Sequence, residues 1–219
     1  MADLVKALEW DRFSVIAHSM GTGVASILVC LTTKIEKMVF IDGMGAPFTI
    51  KKLNSPIHVQ RAYRLRKMAE RVQIDGFSDP GKAMFSRIDE AITNRMNGIG
   101  GKISFDASRM LVARGVKSVE GGYRWQHDPR LTLPEYMQLS HEQAMDFLSS
   151  INVPLCLVLG DGGLFTDERF AEKSKFLPEG CVVYWVEGGH HFHLEQSAYV
   201  ATSRINAFLL KEQKIPNAA

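Results

Sequence analysis

Cysteine is scarce in this chain: Cys30, Cys156 and Cys181 are the only three in 219 residues. They are widely spaced, odd in number and set among apolar neighbours. That excludes a disulfide framework or a cysteine metal cluster, and they read as small buried hydrophobes in a reducing compartment. An excess of charge is also lacking. The formal net charge is +2 with basic and acidic residues interleaved, so neither nucleic acid nor an anionic membrane is implied as a partner. The densest basic run, RAYRLRKMAER (Arg61 to Arg71), carries Leu65, Met68 and Val72 at helical spacing and reads as a solvated helix face. No apolar run approaches the ~20 residues of a membrane span. The opening MADLVKALEWDR carries acids and lacks the apolar centre of a signal peptide. The expectation is a cytoplasmic protein with no integral membrane segment.

What is present suits a globular chain: 46% of residues are hydrophobic and 23% charged, enough for one sizeable core, with room for an inserted subdomain. ADLVKALEW puts Leu4, Val5 and Leu8 on one helical face. RFSVIAHS reads as a short buried strand ending at Ser19, and Gly21 to Thr33 as a buried helix. Met38 to Ile41 is a second apolar run closed by Asp42 and Gly43. Strand, helix and strand with short connections make a βαβ unit and hence a parallel sheet. The middle, 47–150, is charged and rich in Met and Arg, with apolar residues at three- and four-residue spacings. It reads as a mostly helical insertion, broken by glycines at GIGGK (Gly98 to Lys102) and EGGYRW (Glu120 to Trp125). The strand pattern returns in VPLCLVLGDGG and CVVYWVEGGHH, and the last helix carries Val200, Ile205, Phe208 and Leu209 at helical spacing. The fold class is therefore α/β: a parallel-sheet core from 1–46 and 151–219, with a helical segment inserted at 47–150.

Four strand ends deliver Ser19, Asp42, Asp161 and His190. In open parallel sheets the ligand site lies beyond the carboxyl ends of the strands. A hydroxyl, an imidazole and a carboxylate are what nucleophilic catalysis needs: the imidazole takes the hydroxyl proton, and the acid fixes its tautomer. Either Asp42 or Asp161 can be that acid. Each also has a plainer reading as a turn residue before glycine, as Ser19 has one as a helix N-cap.

The stretch AHSMG (Ala17 to Gly21), between strand and helix, resembles the G-x-S-x-G nucleophile elbow of the α/β-hydrolases, with Ala17 at the first glycine position. VEGGHHFHLEQ (Val186 to Gln196) resembles their catalytic-histidine segment. The insertion, with GGYRWQHDPRL (Gly121 to Leu131), is similar to the serine hydrolase-like proteins within that clan. The resemblance implies Ser19 as nucleophile, His190 as base and the Met20 backbone N–H as an oxyanion donor. It also implies that the insertion is a cap. The family's G-x-x-D acid position falls on Gly163, so the acid is Asp161 or Asp42. Small residues are expected at 17 and 21, where the turn meets neighbouring backbone. His18 bonds or packs within the elbow. With Tyr123 and Trp125 it is a candidate substrate-pocket residue, although those aromatics, like Phe105, serve equally as core.

No organic cofactor or metal is implied, because His190, His191 and His193 lack zinc-site spacing such as H-E-x-x-H. The partner is a small-molecule substrate, a small apolar ester or related carboxylic derivative, and the chain is a monomer or homodimer. A complete relative places about four strands before the elbow, with an H-G oxyanion motif. The expectation is thus a partial α/β-hydrolase fold, N-terminally truncated, with the first strands missing. The alternative is a catalytically inactive relative that binds a ligand or partner.

Overall fold

The computed structural model describes residues 1–46, 56–74, 84–98, 101–128, 133–137, 139–165 and 167–211. Contacts divide the chain into two compact units: Met1–Pro47 with Glu142–Ala219, and Phe48–His141.

The first unit contains α1 (Ala2–Ala7), β1 (Phe13–His18), α2 (Gly21–Leu28) and β2 (Ile35–Ile41). After the second unit come most of α6 (His141–Ser149), then β5 (Leu155–Gly162), α7 (Asp167–Ser174), β6 (Val182–Gly189) and α8 (Ala198–Leu210). The four strands form one sheet in the order β1-β2-β5-β6, parallel throughout. Its register pairs Ala17 with Phe40, Phe40 with Leu157 and Val158 with Tyr184. The two central strands are buried on both faces, which is why they read as unbroken apolar runs.

On one face Ala17, Met38, Phe40, Leu155, Leu157 and Leu159 pack with Ala25 and Leu28 of α2 and Leu148 of α6. On the other, Val39, Ile41, Cys156 and Val158 pack with Ala201 and Ile205 of α8. Each large apolar side chain buried this way contributes about 1.5–3 kcal/mol. Phe40, Met38 and Leu157, all fully buried, anchor the sheet that carries the site.

The second unit holds α3 (Pro56–Ile74), α4 (Ile88–Met96), α5 (Phe105–Gly115) and a hairpin of β3 (Val116–Val119) and β4 (Gly122–Trp125). Its core is Phe85, Ala91, Ile92 and Val112, with Tyr123 and Trp125 packed against it. Trp125 meets Phe85 edge to face with ring centroids 5.9 Å apart, an arrangement that aromatic pairs favour.

Several local expectations change. EGGYRW is a hairpin rather than a break: Gly121 (φ +82°) makes the turn, and a Cβ on Gly122 would lie 2.1 Å from the Phe85 carbonyl oxygen. Helix α6 has the helical spacing assigned to the insertion, yet its Leu148 belongs to the sheet core. Of the α1 face only Val5 is buried, while Leu4 and Leu8 are exposed. Cys30 is exposed rather than buried, because α2 ends at Leu28. In α3 it is Ala62 that is buried, and Met68 lies in solvent. The Val72 side chain, Ile99 and Gly100 of the GIGGK break, and Pro129 to Leu131 lie outside the described residues. No helix among the described residues is long and apolar enough to cross a membrane.

Candidate active site

The site forms at the carboxyl ends of β1, β2, β5 and β6. Only Ser19 and Met20 separate β1 from the start of α2, and Ser19 takes φ +53°. A non-glycine residue in this left-handed region is strained by about 1–3 kcal/mol and persists only where its surroundings hold it. Here the backbone is held on both sides. The Ser19 N–H donates to the Ile41 carbonyl at 3.0 Å. The Ser19 carbonyl accepts from the Thr22 N–H at 3.0 Å and the Thr22 hydroxyl at 2.7 Å. The same hydroxyl reaches the Gly45 carbonyl at 3.1 Å, tying the elbow to the loop after β2.

Asp42, the first residue beyond β2, is also left-handed (φ +40°) and fully buried. Its Oδ1 accepts the Gly160 N–H at 3.2 Å and its Oδ2 the Leu164 N–H at 3.0 Å. Oδ2 also accepts from His190 Nδ1 at 2.5 Å. Since a carboxylate can only accept, Nδ1 carries the proton and Nε2 offers its lone pair. The Ser19 hydroxyl donates to that Nε2 at 2.8 Å. Hydroxyl, imidazole and carboxylate thus form one continuous chain in which each polar atom has its partner.

Asp161 lies elsewhere. Its exposed carboxylate accepts the Gly188 N–H at 2.8 Å and clasps the ends of β5 and β6 together. Gly163 explains the difference. A Cβ built there would fall 2.3 Å from Asp42 Oδ1 and 2.7 Å from Cγ. The position at which the resemblance expects an acid therefore abuts the carboxylate that β2 supplies, and only glycine leaves the space. In the sequence Gly163 stands only as a missing acid; the fold shows that its lack of a side chain leaves room for the Asp42 carboxylate.

Among the described residues no backbone acceptor takes the Met20 N–H, which sits at the N-cap of α2. Tyr123 and Trp125 are core aromatics of the second unit. Sequence reasoning passed over Lys173, which is buried on α7 and donates to the Met44 carbonyl at 3.0 Å, bracing the Asp42 loop. Burial lowers its amine to about 8.

His18 Nε2–H donates to the His190 carbonyl at 3.0 Å. Its ring also lies 4.3 Å from His193 and 5.1 Å from His191, centroid to centroid. One ring nitrogen from each of His18, His191 and His193 lies within 4.8 Å of the others, a grouping able to hold a metal ion. Burial, then the neighbouring His18, His191 and His190, pushes His193 down to about 4.

No family model matches the chain. It is 26% identical over 208 residues to a serine hydrolase-like protein of Danio rerio, covering 91% of this chain and 61% of the relative. A serine hydrolase-like protein of Dictyostelium discoideum is 24% identical, covering 97% of this chain and 60% of the relative. The chain thus spans about three fifths of these curated relatives. Among solved structures, a hypothetical protein from Pseudomonas aeruginosa superposes with TM-score 0.82 at 30% identity, over 95% of this chain and 71% of that one. The thioesterase domain of the curacin biosynthetic pathway superposes with TM-score 0.70 at 20% identity, over 93% of this chain and 69% of that domain.

Proposed function

We propose, from the premise that the chain belongs to the α/β-hydrolase superfamily, that it is a serine hydrolase of small apolar esters or related carboxylic derivatives. The observation that carries this reading is the Ser19–His190–Asp42 chain, with contacts of 2.8 and 2.5 Å. Ser19 Oγ attacks the substrate carbonyl while His190 Nε2 takes its proton. Asp42 holds the imidazole in the Nδ1–H tautomer and stabilises the imidazolium as it forms. The Met20 N–H faces the developing oxyanion. The imidazolium then returns the proton to the leaving alcohol, and water, activated by the same nitrogen, releases the acid. The Phe48–His141 unit, inserted between β2 and the sheet's second half, is read as the cap. Its Met, Leu and Ile content favours an apolar acyl or alcohol group.

A fluorophosphonate probe tests the reading, because it phosphonylates only a serine whose hydroxyl is activated. Labelling is expected, abolished in Ser19→Ala and strongly slowed in His190→Ala. A folded protein that takes no label would leave the non-catalytic binding protein as the better description.

A further inference from the structure

Three of the histidines around the site do no work in the reaction just described. His18 comes from the end of β1, whereas His191 precedes the one-turn 3-10 helix Phe192–Leu194 after β6 and His193 lies within it. Their rings surround a common point beside His190: the His18 and His190 centroids are 4.6 Å apart and those of His190 and His191 4.8 Å. We propose that His18, His191 and His193 form a binding site for a divalent transition-metal ion of the zinc type, and that its occupancy silences the Ser19–His190 pair. The inhibitory half rests on the hydrolase reading above; the binding half does not.

Three observations carry it. The ligand nitrogens already lie within 4.8 Å of one another. Zinc bound at about 2.0–2.1 Å to each in tetrahedral geometry needs them roughly 3.3 Å apart, a closure within reach of imidazole side-chain torsions. His18 donates its Nε2–H to the His190 backbone carbonyl, the kind of outer hydrogen bond that orients metal-binding imidazoles. Finally, His193 Nδ1 is buried with no hydrogen-bond partner among the described residues. A buried ring nitrogen left so is costly, and a metal ion is one group that satisfies it.

Three neutral imidazoles select zinc, copper or nickel over magnesium or calcium, which prefer oxygen. This set is hidden in the sequence, because one ligand lies more than 170 residues from the other two and the neighbouring His190 is not a member. The consequence is electrostatic. During the reaction His190 must accept the Ser19 proton and become cationic, and a divalent ion against the rings that touch His190 opposes that charge.

The test uses the whole chain with Zn2+ as probe and has two arms. Competition against a chromophoric chelator reads binding for the wild type, His191→Gln and His193→Gln, each checked for native circular dichroism. Expected is one equivalent of Zn2+, bound at least tenfold more weakly in each variant, with Mg2+ failing to compete. Fluorophosphonate labelling of the wild type reads the second arm: Zn2+ is expected to slow it at least tenfold and EDTA to restore it. His191→Gln, labelled at the wild-type rate without metal, is expected to resist Zn2+. Stoichiometric binding unchanged in both folded variants, or no binding, overturns the site. Normal labelling with the site loaded overturns its inhibitory role. Absence of labelling in metal-free protein is instead the failure of the hydrolase reading, and the chelator arm still decides the metal site.

Discussion

Asp42 is wholly buried, and its two oxygens accept from Gly160, Leu164 and His190. Every one of those donors belongs to another strand end, so the residue both organises the loop after β5 and orients the imidazole. Asp161, with an exposed carboxylate on the Gly188 N–H, does only the former. The two aspartates are therefore separable by activity. Asp42→Asn replaces an acceptor with a donor toward Nδ1 and favours the wrong tautomer. In a Ser-His-Asp protease that change costs about 10⁴-fold in kcat with the geometry intact, and a drop of that order in hydrolysis of a p-nitrophenyl ester is expected here. Asp161→Asn keeps an acceptor for Gly188 and should leave the rate nearly unchanged. The reverse order of the two variants would assign the acid to Asp161. Neither the choice nor the reason for it was readable in the sequence, because an Asp-Gly pair closes both strands and only the space beside Gly163 distinguishes them.

At the scale of elements, the elbow's tolerance for size is set in a different place from where its motif suggests. The small residues at 17 and 21 were expected to sit against backbone. A Cβ on Gly21 would instead stand 3.7 Å from Ala17 Cβ, ordinary van der Waals contact. The close approach is at Gly43, where a Cβ would come within 2.5 Å of Thr22 Cγ2 and 2.6 Å of the Thr22 hydroxyl that holds Ser19. Gly21→Ala, at the first position of α2, should be neutral or raise stability by about 0.4–1 kcal/mol. Gly43→Ala should cost about 1–3 kcal/mol as an overpacked site and slow fluorophosphonate labelling as Thr22 is displaced. Urea unfolding and labelling rates of the pair decide; equal effects would mean that the loop after β2 does not brace the elbow. The strands and their polar ends were legible because a parallel strand buried on both faces is an apolar run, and glycine marks where it stops. The β3–β4 hairpin was not, since four-residue strands that are half exposed leave no such run. Nor could spacing assign α6, because periodicity shows that a helix has an apolar face but not which core receives it.

Across the whole molecule, stability depends on pH through groups that the fold buries away from their ordinary surroundings. Lys173, on the same sheet face as Met44 and Phe165, falls from 10.5 to about 8 because burial disfavours its charge, a shift only partly offset by Glu172. Between those values the unfolded chain binds a proton that the folded chain does not, so folding stability rises with pH across that window. Cys156 in β5 and Cys181 before β6 move the other way: burial raises their thiols from 9.0 to about 12 and about 11. Above pH 9 the unfolded chain releases protons that the folded chain keeps, and stability falls. The three groups together place a maximum near pH 9. Lys173→Met isolates the first of them. It loses the hydrogen bond to the Met44 carbonyl at every pH, a constant offset, but it also removes the charge that burial penalises below pH 8. Urea midpoints of variant and wild type, measured from pH 7 to 10.5, should therefore differ most in the variant's favour at the low end. That difference should shrink steadily as the wild-type amine of the unfolded state approaches its own titration. A difference that stays flat with pH would mean that Lys173 reaches solvent in the folded protein and that the Asp42 loop is not braced by a buried amine.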